Sequence, residues 1–132
     1  MALRFDDDIR NTLVAAWGAV FDSGTLAIYT GTQPTTANDA ATGTLLVTIT
    51  LPADAFTAGA AGVQNKAGTW SASAGNGGTA GWCRFSNSGD TQRMDGSVTG
   101  TSGGGMIELD NTVIVSGGTV TVSTFTLTQP AS

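Results

Sequence analysis

The reactive side chains of this sequence are few, and their types limit its chemistry. Its 132 residues include no histidine, one cysteine, ten Asp or Glu and five Lys or Arg. Without histidine the usual general base, the serine-type triad and the commonest transition-metal ligand are missing, and zinc has no ligand set. Carboxylates remain. Glu108 and Asp110 share a strand face at i, i+2, the nearest approach to a glycosidase pair, yet an Asp before Asn111 is what a turn requires. Asp6, Asp7 and Asp8 are consecutive, so on a helix they point in different directions and suit capping better than a cation. The Gly-rich run 75–81 lacks a following Gly-Lys-Ser/Thr and leads into a strand, which makes it a hairpin turn rather than a phosphate loop. No catalytic, cofactor-binding or metal-binding residue is therefore assigned, and the chain is expected to be neither an enzyme nor a cofactor carrier.

Binding chemistry is better represented. Arg84 and Arg93 fall on two strands that should pair across the turn 87–90, and side-by-side cations cost stability unless carboxylates answer them. Asp95 could do so from within, or a partner's acidic groups from outside, since Arg suits bidentate pairing. Arg93 and Asp95, at i, i+2, are expected to form a surface ion pair, with Arg84 emerging where its layer meets solvent. A carbohydrate platform would need an exposed aromatic, for which Trp17, Tyr29, Trp70 and Trp82 are the candidates, although each sits in an apolar pattern that also explains it as core.

The elements that position these residues are mostly strands. The hairpin 79–99 is central: Ala80, Trp82 and Arg84 alternate with Gly81, Cys83 and Phe85, so both faces carry an aromatic and the strand belongs inside a two-layer structure. Further strands are expected at 25–30, 44–51, near Val63, at 69–74, 106–109, 112–115 and 119–128. The apolar phase of the last slips by one near Ser123 or Thr124, which a β-bulge would explain. The one helix, 6–20, repeats Ile9, Leu13, Ala16, Trp17 and Val20 at three- and four-residue spacing and is capped by its aspartates. Gly18 weakens its last turn. These elements imply a single domain over 1–132, with an N-terminal arm and helix in 1–21 and an all-β body in 24–130. The fold expected is a jelly roll or β-sandwich of about eight antiparallel strands.

Composition narrows the partners. Only 11% of residues are charged, Gly and Thr abound, and the net charge is −5. A neutral hydroxyl- and amide-rich surface suits packing against protein, whereas five scattered cations argue against nucleic acid and anionic membranes. Cys83, alone in an apolar strand, reads as a buried reduced thiol, which fits a cytosolic origin. No apolar run approaches a membrane span, and aspartates stand where a signal peptide would carry positive charge.

Taken together, L-A-I-Y-T-G-T-Q-P (26–34), L-L-V-T-I-T-L-P (45–52) and G-W-C-R-F to M-D-G-S-V (81–98) resemble a family of small virion proteins of tailed bacteriophages, over residues 6–130. Within it the nearest functional match is the capsid cement or decoration protein. The resemblance implies a jelly roll that binds the major capsid protein on the outer shell as a homo-oligomer, a dimer or trimer, in a particle assembled in the host cytoplasm. It implies no catalytic residues, no nucleic-acid contact and no membrane. A tail, neck or carbohydrate-binding host-attachment module is the alternative. Met1, Ala2, Leu3, Arg4 and Phe5 would form a free arm reaching a neighbour, and Arg84 and Arg93 a second contact.

Overall fold

The computed structural model describes residues 2–131. Ten strands follow one helix: α1 (Asp7–Val20), β1 (Thr25–Thr30), β2 (Leu45–Thr50), β3 (Val63–Asn65), β4 (Trp70–Ser73), β5 (Gly78–Ser86), β6 (Arg93–Gly100), β7 (Ile107–Leu109), β8 (Val113–Ile114), β9 (Thr119–Val122) and β10 (Thr126–Thr128). The main sheet runs β2-β1-β5-β6-β7, with β8 on the start of β5, and two short sheets, β10-β3 and β4-β9, complete the all-β body. The class is the expected one, a sandwich-like β fold with a short N-terminal helix. Two details differ: several strands have only two or three residues, and β6 pairs with β7 in parallel. Six residues connect that parallel pair. Glu108 holds them by accepting from Ser102 N and Gly104 N, while Thr99 Oγ1 accepts from Gly105 N, so this carboxylate braces a loop rather than facing Asp110 for catalysis.

The core lies on one face of the main sheet. In register, Leu26 pairs with Phe85 and Ile49, and Ile28 with Cys83 and Val47, so these side chains share that face. Phe21, Phe56, Trp70, Phe85 and Phe125 interlock there with ring centroids 5.1–6.1 Å apart. Alternation in β2 breaks at Leu46 because the β1–β2 register shifts between Ile28 and Tyr29. The bulge lets Leu46 and Val47 both be buried. The phase slip near Ser123 has another cause: β9 pairs with β4 and β10 with β3, so the chain changes sheets there rather than bulging within one strand.

Asp6 caps α1 as expected, its Oδ1 accepting from Ile9 N at 2.9 Å. The buried stripe of the helix is not the expected one. Val14 and Gly18 face inward with Trp17 and Val20 beside them, while Ile9, Leu13 and Ala16 are exposed. Gly18 decides this rotation: a Cβ there would collide with Gln64 Oε1 and crowd Phe56, so the glycine is the point at which the helix meets β3. Arg10 Nε donates to Gln129 O at 3.0 Å and Asn11 Oδ1 accepts from Gly62 N at 2.8 Å, locking that orientation.

Candidate functional site

The opposite face of the main sheet is polar. The same registers that send Phe85 and Cys83 inward place Thr25, Ala27 and Tyr29 of β1, Thr48 of β2, Trp82, Arg84 and Ser86 of β5, and Asp95 of β6 on this outer side. It is roofed by the loop 31–44, not by a second sheet. Trp82 Nε1 donates to Thr42 O at 3.2 Å and Arg84 Nη2 to Asp39 O at 2.9 Å. Between this loop and the turn 87–93 lies an open groove of about 640 Å³, lined by Tyr29, Thr25, Thr48, Arg84, Asp90 and Arg93 among others.

Arg84 is the centre of the groove and corrects the expectation of a solvated edge. It is 6% exposed and directly opposite Asp95, to which Nε and Nη2 donate at 2.7 and 2.9 Å. Each desolvated charge thereby meets its counter-ion and keeps most of its hydrogen bonds, which is the condition for burying such a pair. The guanidinium also lies over the Trp82 ring, 5.4 Å from its centroid. Its pKa is raised further, first by the hydrogen bonds it donates to Asp95. Arg93 does not pair with Asp95: its Nε and Nη2 each donate to Asp90 at 3.2 Å, because Asp90, at φ 52°, brings its carboxylate back over the turn. That hydrogen bond holds the Asp90 carboxyl below its ordinary value. Asn87 organises the same turn, its Oδ1 accepting from Thr91 N and Gln92 N.

The aromatic candidates separate by burial. Trp70 and Trp82 are fully buried, with Trp70 Nε1 donating to Ala67 O, and Trp17 is half-buried against the core. Tyr29 alone reaches the groove, its ring stacked on Trp82 at 4.6 Å and 12°. Cys83 is fully buried beneath this layer, and burial pushes its thiol up to about 12. Among the described residues there is no cluster of three metal-ligating side chains, and no helix is long and apolar enough to cross a membrane.

Of the contact residues expected from sequence, Arg84 and Arg93 do converge on one groove. The N-terminal segment lies elsewhere. Met1 is outside the described residues. Ala2, Leu3 and Arg4 are exposed, but Phe5 is half-buried and its N donates to Ala131 O at 2.8 Å, so the arm ends one residue earlier than expected. Sequence reasoning missed Asp90, Thr25 and Thr48 as groove residues and Asp39 as the loop residue that accepts from Arg84. The alternation of Thr25, Ala27 and Tyr29 against Leu26 and Ile28 carried that signal, whereas the roofing loop had no periodicity to read. Comparison with family models, with curated proteins and with solved structures returned no match.

Proposed function

We propose that this chain is a bacteriophage virion structural protein that decorates the outer capsid surface by adhering to the major capsid protein. The observation that carries the reading is a set of exposed large apolar side chains at the N-terminal end: Leu3 is 52%, Ile9 47% and Leu13 40% exposed. Residues at i and i+4 are helix neighbours, so Ile9 and Leu13 present one continuous patch, and its burial on a partner would release water from apolar surface. The family resemblance of the strand motifs, the low charge density and the Thr- and Gly-rich surface support the same reading. Such a protein acts by contact area summed over many copies, and needs no reacting group. A tail or neck position is the competing assignment.

Two measurements test it. Quantification of the protein in purified particles should give a copy number on the scale of the capsid lattice, whereas a few copies per particle would move it to the tail or neck. In rebinding to capsids stripped of it, replacing Ile9 and Leu13 together with Ser should weaken attachment roughly tenfold or more, with thermal stability retained. Unchanged rebinding would remove the patch from the interface.

A further inference from the structure

The groove over the main sheet holds hydrogen-bonding capacity that the protein does not use. Arg84 spends Nε and Nη2 on Asp95 and Asp39, and Nη1 has no partner among the described residues. Gln64 Oε1 is the one fully enclosed side-chain polar atom without a partner among those residues, so Nη1 of Arg84 is reached from outside although its side chain is 7% exposed. Arg93 repeats the arrangement, with Nε and Nη2 on Asp90 and Nη1 unpartnered among the described residues. The hydroxyls of Tyr29, Thr25 and Thr48 likewise make no hydrogen bond within them, and all of these residues line the same groove. Its volume, about 640 Å³, falls within the range of small-ligand sites.

Charge decides which ligand fits. The two guanidiniums are matched by Asp95 and Asp90, and the chain as a whole carries −5, so an anion entering the groove gains little net attraction. A ligand with many neutral hydroxyls gains more, because each can both donate and accept, and the groove sets Nη1 donors beside the Asp90 carboxylate, whose oxygens keep acceptor capacity. Tyr29 is held by its stack on the buried Trp82, so its ring is a fixed apolar surface for the C–H face of a sugar. We propose that this groove binds an uncharged saccharide, with Tyr29 as platform and Arg84, Arg93 and Asp90 reading its hydroxyls. This goes beyond the proposed attachment to a capsid, which rests on the exposed apolar residues at the N-terminal end.

The test is a screen of the full chain on immobilised neutral glycans, with sialylated and sulfated glycans and an acidic peptide in the same set, and no capsid present. The best neutral glycan is then titrated by tryptophan fluorescence against the wild type and a Tyr29→Phe, Arg93→Gln double variant, which keeps the stacked ring and the Arg84–Asp95 pair. Expected are retention of at least one neutral glycan and a loss of roughly fivefold or more in the double variant, the loss of one or two net hydrogen bonds, with melting temperature unchanged. Three outcomes overturn the proposal: no neutral glycan is retained, the double variant binds equally well, or the anionic glycans or the acidic peptide bind better.

Discussion

Strand β5 is buried on both faces, and the two faces reach burial by different physics. Inward, Cys83 and Phe85 join an apolar cluster in which Phe85 meets Phe21, Trp70 and Phe125. Outward, Trp82 and Arg84 are covered by a loop they hold themselves, through one indole and one guanidinium hydrogen bond. The inner face depends on shape and volume. The outer face depends on matched donors and acceptors, and a hydrogen-bonded layer can be complete for folding while leaving atoms such as Arg84 Nη1 unspent. That is why the same strand offers a core on one side and an open polar groove on the other.

The sharpest way to break the comparison is to empty one face at a time. Phe85→Ala should destabilise the fold by about 3–5 kcal/mol in urea unfolding, through lost transfer energy and a cavity that three neighbouring rings cannot collapse to fill. Asp95→Ala leaves Arg84 charged and enclosed. We expect about 2–4 kcal/mol, somewhat under the full cost of a stranded buried charge because Nη1 stays wet. Adding Arg84→Met to Asp95→Ala should recover part of that loss, as no charge is then stranded; if the double variant were worse than the single, the outer face would behave as a packed core like the inner one.

Cys83 lies beneath the boundary and reports on it by pH. Its folded thiol titrates at about 12 against an ordinary 9.0, so it contributes stability that is full below pH 9 and lost as pH rises toward 12. By pH 11 the loss from this group is on the order of 3 kcal/mol, at about 1.4 kcal/mol for each pH unit above 9. Comparing Cys83→Ala with the wild type across pH 8–11 isolates it: the variant should lack this part of the alkaline decline, and parallel curves would show that the thiol is not held neutral. The smallest effect is expected for Arg93→Gln. Its partner Asp90 is exposed, so melting at neutral pH should stay within experimental error, and a marked drop would make the groove rim structural.

How much of this was legible follows the same division. Regular alternation found β1, β4, β5 and β9, and three consecutive aspartates before an apolar helix marked its cap. What escaped was set by distant partners. Arg84 reads as an edge residue until a loop 45 positions earlier supplies Asp39 O, and a loop has no period to announce it. The helix carries apolar residues on more than one side, so its docked face was chosen by Gly18, the residue with no side chain, against Gln64 and Phe56. Arg93 could reach Asp95 or Asp90 by spacing alone, and only the backbone of Asp90 at φ 52° selects between them. The phase slip after Val122 was visible, but a bulge and a change of sheet leave the same mark in a sequence.

The tether between Trp82 and Thr42 also makes the protein its own clock. The indole proton lies under the loop 31–44, bonded to a main-chain carbonyl, and it can exchange with solvent deuterium only while that loop is lifted. Its exchange rate therefore counts openings of the roof independently of global unfolding, and comparing it with amides of the inner strands separates the breathing of one loop from the melting of the whole chain.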